Sequence, residues 1–274
     1  MLYLSRINAF KVVLLGLLLS WFIKGPVFYF EYVNETIFVE KVHIDFFPDV
    51  FVSPYICCFF YYLPLVTLPI LLLRNSLSHR SVSIVTALIF TLSSFVLMQH
   101  QSTYNDATFV VSFWVASWLF WYALNIQADE SFLKKHARRL GKVIISVIFL
   151  GGFIGKCTSE WWSGTALFGI YENFFNHWPF TWLKSEFSRE AQQYTLGVLS
   201  KVLICVELII TSSILWKDKF YYRVAPCLIF GITFFRGWQI LSVIGPLLFL
   251  IATIYFLSKE RRFESSSDNE NLAS

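Results

Sequence analysis

A lysine stands at the end of one of the most apolar stretches of the chain. Residues 143–155 read VIISVIFLGGFIG, and Lys156 follows them directly. Such a stretch predicts a membrane-spanning helix, where an ammonium group costs roughly 2.5–3.5 kcal/mol at the bilayer centre unless it faces a cavity or a partner. An amine in a dry site can be neutral near physiological pH and act as a general base or nucleophile. Lys156 is therefore the candidate catalytic residue, and a structural lysine that reaches toward the outer headgroups is the alternative.

Other ionisable residues lie in or beside apolar runs. Glu160 follows Lys156 by one helical turn, close enough to pair with it. Glu207 lies inside the run 195–215, where a carboxylate is costly unless protonated or paired, and its alternative role is an interhelical contact that fixes packing. Arg236 ends a later run and is expected to pair with Glu207 or a lipid phosphate rather than to bind an anionic ligand.

A polar loop precedes the fourth apolar run and is predicted to lie on the same side as Lys156. His100 in this loop is expected to be solvent-exposed rather than catalytic. We expect the unusual polar groups to converge on the outer face. The candidate residues lining the site are His100, Asn105, Asp106, Glu160, Trp161, Gly164, Glu207 and Arg236.

The composition excludes several classes of protein. Of 274 residues, 56% are hydrophobic and only 15% charged, which is not the composition of a soluble domain. The basic residues are scattered in short loops, so no nucleic-acid partner is expected. HExxH, P-loop, GxSxG and Rossmann patterns are absent from the sequence, and no Cys/His spacing suits a metal. A small-solute transporter, expected to show repeated halves with broken helices, ranks lowest among the functions considered.

Nearly all of the apolar residues lie in runs of about 17–25 residues, the length of membrane helices. They predict an all-α polytopic membrane helix bundle of about eight transmembrane helices. Only Arg236 and Gly237 separate the last two runs, so a single kinked helix, and thus seven spans, is the alternative. The predicted spans are 8–24, 54–73, 81–98, 107–126, 143–155, 195–215, 224–235 and 238–257.

The distribution of basic residues predicts the orientation. In the eight-span arrangement the groups at 134–142 and 217–223 fall on one side, which the positive-inside rule makes cytoplasmic. Both termini are then cytoplasmic, in a bacterial inner membrane or an endomembrane. Residues 1–263 are predicted to form a single transmembrane domain, and the polar tail 264–274 a disordered cytoplasmic segment.

Two aromatic-rich segments, 25–53 and 161–190, fall on the predicted outer side. Trp and Tyr prefer the headgroup level of a membrane. Both segments are therefore predicted to form interfacial helices or caps in contact with membrane lipid, as an aromatic belt rather than a ligand-stacking surface.

One stretch resembles a known family. Residues 151–168, GGFIGKCTSEWWSGTALF, resemble the pattern of small residues, Lys, a short gap, Trp and then Gly found in vitamin K-dependent gamma-carboxylases and the wider HTTM family (horizontally transferred transmembrane domain). The resemblance continues through NHWPF at 176–180 to the acidic residue at Glu207. A weaker match is STYND at 102–106, and the layout of spans is similar over most of the chain.

The resemblance implies a function and a cofactor. Lys156 would be the base that deprotonates a reduced quinone similar to vitamin K. Oxygenation would then create a strong base that removes a proton from a glutamate side chain of a secreted peptide or protein, and carbon dioxide would add to the carbanion.

This chain departs from the carboxylase pattern at several positions, so it is not expected to be a full gamma-carboxylase. The Asn-Asn-His set is replaced by Asn105-Asp106-Ala107, and Phe-His by Phe235-Arg236. The chain stops soon after the last predicted span, so the large lumenal region that grips a protein substrate is expected to be absent. The rival hypothesis is a non-catalytic membrane accessory protein for maturation or export of a secreted peptide.

Overall fold

A computed structural model describes residues 6–29, 53–73, 79–99, 107–174, 178–236 and 240–259. Helices make up 90% of these residues and no strand occurs among them, which confirms the all-α prediction. The described helices are α1 Arg6–Val27, α2 Pro54–Leu73, α3 Arg80–Leu97, α4 Thr108–Leu124, α5 Glu130–Gly155, α6 Ser159–Ser163, α7 Thr165–Phe174, α8 Phe180–Glu186, α9 Arg189–Ser212, α10 Asp218–Arg236 and α11 Leu241–Lys259. A 3-10 turn, Ser213–Leu215, extends α9.

A helix lies at the position of each predicted span, but α5 differs from the prediction. It begins at Glu130, well before residue 143 where the fifth span was expected to start. Leu133, Ala137 and Gly141 are buried at intervals of four residues, so one helical face continues through the basic segment. The basic cluster at 134–142 therefore lies on a helix and not in a loop.

Three of the described helices are long and apolar enough to cross a membrane by length and composition: Arg6–Val27, Arg80–Leu97 and Arg189–Leu215. Three further apolar helices are shorter, at Tyr55–Leu71, Thr108–Leu124 and Leu241–Leu257. The chain is therefore a helical protein with candidate membrane spans.

Contacts between residues divide the chain into two compact units. The first comprises Met1–Gly141 with Leu241–Ser274, and the second Lys142–Ile240. The boundary falls within α5. The single transmembrane domain predicted for residues 1–263 stays a prediction.

The core of the first unit contains a cluster of aromatic rings. Trp21 stacks on Tyr61 with ring centroids 5.4 Å apart, and Phe28 stacks on Tyr61 at 3.8 Å. Phe90 and Phe109 meet the Trp21 ring edge-on. The Tyr61 hydroxyl donates to the backbone oxygen of Trp21 at 2.6 Å, so this buried polar group is satisfied.

Small residues bring α1 and α11 close together in the first unit. A Cβ at Gly16 would lie 2.6 Å from Phe249 Cβ, which leaves room only for glycine. The Ser20 hydroxyl donates to the Ser242 carbonyl, and the Thr108 and Ser242 hydroxyls are 3.0 Å apart. Small and hydroxyl-bearing residues at helix contacts are typical of membrane helix packing.

The second unit has its own core around α7, α8 and α9. The core is apolar, with leucines from all three helices and aromatic rings from the two short ones. Its buried members are Leu167, Phe168, Tyr171, Phe180, Leu183, Leu196 and Leu203, and Trp161 packs against them.

Candidate functional site

One face of α9 organises the candidate site. Gly197, Ser200 and Glu207 are separated by three and seven residues, which places them along one side of a helix. Residues between α5 and α7 lie against this face. The site is therefore built where the end of α5 and the short helix α6 meet a single long helix.

Two glycines allow the end of α6 to approach α9 closely. Gly164 has φ +85°, a left-handed conformation that side chains disfavour, and it ends α6. A Cβ on Gly164 would lie 2.3 Å from the Cα of Gly197. The Ser200 hydroxyl donates to the backbone oxygen of Trp161 at 2.6 Å. The glycine noted in the sequence pattern is therefore required both by backbone conformation and by the contact with α9.

Lys156 forms an ion pair with Glu207. Its Nζ lies 2.8 Å from Glu207 Oε1 and 3.0 Å from Oε2, and 3.4 Å from the carbonyl oxygen of Gly152. An ammonium group has three donors, so these three acceptors account for all of them. The side chains are 18% exposed for Lys156 and 12% for Glu207. The pair is thus largely shielded from water.

The end of α5 delivers Lys156 to this position. The helix ends at Gly155, and the amide of Lys156 donates to the carbonyl of Phe153 at 3.0 Å. A Cβ on Gly152 would lie 3.2 Å from Glu207 Oε2, closer than most real Cβ contacts. The small residue one turn before the lysine therefore makes space for the carboxylate.

An aromatic ring covers the ammonium. Lys156 Nζ lies 5.2 Å from the ring centroid of Trp161, within the range of a cation–π interaction. Lys156 and Trp161 of the sequence pattern are thus brought together beside Glu207, and Gly164 packs against the same helix at Gly197.

Glu160, expected to pair with Lys156, lies elsewhere. The ion-pair partner of Lys156 is Glu207 instead, and Glu160 is exposed in the first turn of α6. Its own backbone amide and the hydroxyls of Thr158 and Ser159 hydrogen-bond to its carboxylate and lower its pKa. Because the chain breaks between α5 and α6, Lys156 and Glu160 are not on one continuous helix, and their spacing in the sequence does not bring them together.

The remaining candidates cannot be placed against the pair. His100, Asn105 and Asp106 lie outside the described residues, and Arg236 ends α10 with its side chain outside them. Their convergence on Lys156, and an ion pair between Arg236 and Glu207, stay predictions.

Sequence analysis missed Lys142, a lysine on α5 that is buried more deeply than Lys156. Lys142 is 7% exposed, and its Nζ lies 2.6 Å from Asp218 Oδ1 and 3.2 Å from the carbonyl oxygen of Trp216. It also lies 4.6 Å from the ring centroid of Tyr221. The signal was the length of the predicted fifth span: thirteen residues are too few to cross a bilayer, so the span had to extend back toward Lys142.

A third lysine was also overlooked. Lys201 is exposed on α9, inside the candidate span Arg189–Leu215. A charge inside an apolar run was visible in the sequence. Its helical position places it on the exposed side of α9, away from Glu207.

Comparison with protein-family models, with curated proteins and with solved structures finds no match for this chain. Fold and site together define a helical protein with candidate membrane spans and a shielded lysine–glutamate pair under an indole ring.

Proposed function

We propose that this chain is a polytopic membrane protein, similar in kind to the transmembrane domain of vitamin K-dependent gamma-carboxylases, in which Lys156 and Glu207 move a proton of a reduced quinone for chemistry on a secreted peptide or protein. The observation that carries the proposal is the contact of one ammonium with both oxygens of a carboxylate, at 2.8 and 3.0 Å, beside the ring of Trp161. In a site with little access to water, the protein rather than the solvent sets the energy of proton transfer.

The proposal includes eight membrane spans with both termini in the cytoplasm. Helices at all eight predicted positions and the one-sided basic groups support it. Two variants of a chain without its native cysteines test this topology, one with Trp182→Cys and the other with Lys219→Cys. A membrane-impermeant maleimide added outside intact cells should label the first and reach the second only after permeabilisation, and the reverse pattern would contradict the orientation.

The surroundings of the pair fit a lipophilic aromatic reactant. Trp161 offers an indole face near the ammonium and packs against the apolar core of the second unit. Base-type chemistry benefits from such a poorly hydrated site, because charges developed there are not screened by water.

The ion pair assigns different tasks to its two side chains. Because Lys156 uses its three donors on Glu207 and Gly152, the free lone pairs that can accept a proton lie on Glu207. When an O–H bond of the reactant breaks, the proton goes to a Glu207 oxygen, and Lys156 keeps its positive charge beside the negative charge left behind. A reduced quinone bound there would supply, on reaction with oxygen, the strong base that acts on a glutamate side chain.

A direct activity assay tests the proposal. Purified protein incubated with reduced vitamin K and oxygen should form the epoxide, and Lys156→Ala and Glu207→Gln should each lower the rate by on the order of 100-fold, as removal of a group that handles the transferred proton does. Lys201→Ala removes a lysine outside the pair and serves as the matched control. Equal epoxide formation by wild type and Lys156→Ala would remove the catalytic role.

Lys156→Arg distinguishes the two candidate bases. Arginine keeps the positive charge but cannot be deprotonated in a protein. If Glu207 accepts the proton and Lys156 supplies charge, Lys156→Arg retains a measurable fraction of the activity while Lys156→Ala does not. If the amine itself is the base, as the sequence resemblance implies, both variants are equally inactive.

The packing of the pair favours a second candidate function, a non-catalytic accessory protein for maturation or export of a secreted peptide. All donors of Lys156 are satisfied, and Gly152, Trp161 and Gly164 each touch α9 or its side chains. The same residues therefore serve to join helices within the second unit.

This second function makes an opposite prediction. The pair replacement Lys156→Met with Glu207→Leu should leave peptide maturation or export intact, because apolar residues of similar volume can replace an ion pair. Trp178 is 72% exposed, and Trp178→Ala should abolish co-purification of the peptide. Loss of maturation in the double variant, with the fold retained by circular dichroism, would favour the catalytic proposal.

A further inference from the structure

A short basic segment follows the candidate span Arg189–Leu215. Residues 215–223, here called the basic turn, read LWKDKFYYR and include the start of α10. The amides of Phe220 and Tyr221 both donate to the carbonyl of Lys217 at 3.0 Å, which closes the turn. Its position at the end of a candidate span places it at the level of lipid headgroups.

The basic turn exposes positive charge. Lys217, Lys219 and Arg223 are exposed, and none of them has an ion-pair partner among the described residues. Asp218 is the one acidic residue of the turn, and Lys142 binds its carboxylate at 2.6 Å. The single carboxylate of the turn is therefore already paired with Lys142, and the turn keeps a net positive charge.

Apolar side chains lie beside these cations. Leu215 is 86% exposed and Phe220 is 52% exposed. The rings of Trp216 and Phe220 meet edge-on with centroids 4.9 Å apart. Exposed aliphatic and aromatic groups next to lysine and arginine are the composition of a membrane interface, since the apolar groups enter the acyl boundary and the cations stay at the phosphates.

The buried Lys142 holds the basic turn in shape. Lys142 contacts Asp218, the carbonyl oxygen of Trp216 and the face of the buried Tyr221. These contacts tie the start of α10 to α5. The three cations are thus presented on a fixed backbone rather than on a free loop.

We propose that the basic turn binds anionic phospholipid headgroups at the end of the α9 span. Charge complementarity selects the occupant: three unpaired cations next to exposed apolar side chains match an anionic headgroup with its acyl chains. This site lies apart from Lys156 and Glu207 and does not depend on their function.

Electron paramagnetic resonance of spin-labelled lipids tests the proposal. The full chain is reconstituted in phosphatidylcholine, and the motionally restricted fraction is compared for spin-labelled phosphatidylglycerol and phosphatidylcholine. Each cation near an anionic lipid surface contributes about a fivefold preference, so the three cations of the basic turn should make the wild-type protein prefer phosphatidylglycerol by at least about fivefold. High salt should reduce the preference.

Two triple variants of equal charge locate the site. Lys217→Gln, Lys219→Gln and Arg223→Gln together should lower the preference by about fivefold or more. The matched control, Lys184→Gln, Arg189→Gln and Lys201→Gln, removes three charges elsewhere in the second unit and should keep the preference. A third variant, Lys217→Arg, Lys219→Arg and Arg223→Lys together, retains the three positive charges and should retain the binding.

Three results would overturn the proposal: no preference for phosphatidylglycerol in the wild type, an equal loss in both triple variants, or an unchanged preference in the basic-turn variant. Circular dichroism of each reconstituted protein shows that the helices are retained.

Discussion

Helix α5 positions two shielded lysines whose ion pairs differ. At Lys142 the amine is the more buried member, 9% exposed against 43% for Asp218. At Lys156 the carboxylate is the more buried member, 12% exposed for Glu207 against 18% for the lysine. Lys142 touches one carboxylate oxygen, whereas Lys156 touches both.

The difference in exposure shows in which pair water can hydrate the carboxylate after its lysine is lost. Asp218 keeps contact with solvent, so its charge remains hydrated if Lys142 is lost. Lys156 and Glu207 are both largely shielded from water, so each depends on the other to offset the cost of burying its charge. The pair at Lys156 is therefore the one in which loss of the lysine leaves a shielded carboxylate without a partner.

The largest expected effect comes from removing the lysines. Lys156→Ala leaves the shielded Glu207 carboxylate, 12% exposed, without its partner and should lower the free energy of unfolding by about 3 kcal/mol. Lys142→Ala should lower it by about 1 kcal/mol, because the Asp218 carboxylate left behind is 43% exposed and stays hydrated. Unfolding in detergent micelles, followed by circular dichroism, measures both. Equal losses would contradict the comparison.

A smaller effect is expected from a methyl group placed beside the Lys156 pair. Gly152→Ala would bring a Cβ to 3.2 Å from the Glu207 carboxylate, whereas a Cβ at Gly151 meets nothing within 4 Å. Gly151→Ala should stabilise the helix by about 0.5–1 kcal/mol through backbone entropy.

Gly152→Ala should show no such gain, so its free energy of unfolding should be about 1 kcal/mol lower than that of Gly151→Ala. The same unfolding measurement compares the two glycine variants. A stabilisation of the Gly152 variant equal to that of the Gly151 variant would mean that the carboxylate does not occupy this space.

The smallest effects are expected at the rings that face the two lysines. Trp161→Phe replaces the best cation–π partner by a weaker one and should cost about 0.5 kcal/mol. Tyr221→Phe keeps a ring over Lys142 and removes a buried hydroxyl that has no hydrogen-bond partner among the described residues. It should be neutral or stabilising by up to about 1 kcal/mol. A clear loss of stability in Tyr221→Phe would show that its hydroxyl is bonded.

Sequence patterns located the helices well and the contacts between them less well. The apolar runs at 54–73 and 81–98 coincide with α2 and α3 to within one residue, because helix period and hydrophobicity are local properties. The start of α5 was placed too late, because charged residues on one helical face were taken as a loop. Glu160 was chosen as the partner of Lys156 from spacing alone, and a break in the helix at Lys156 removes that spacing.

Composition and the length of the apolar runs by themselves determined a helical protein with candidate membrane spans, since the hydrophobic effect acts on each run independently of the others. They also singled out Lys156 and Glu207 as charges out of place in such runs, while Trp161 and Gly164 were picked out by the resemblance to the carboxylase pattern. Only the tertiary structure decided that Lys156 and Glu207 meet, because two residues 51 positions apart in the sequence are brought together by helix packing and not by any local rule. The second lysine pair was hidden for the same reason: burial of a charge depends on which distant group compensates it.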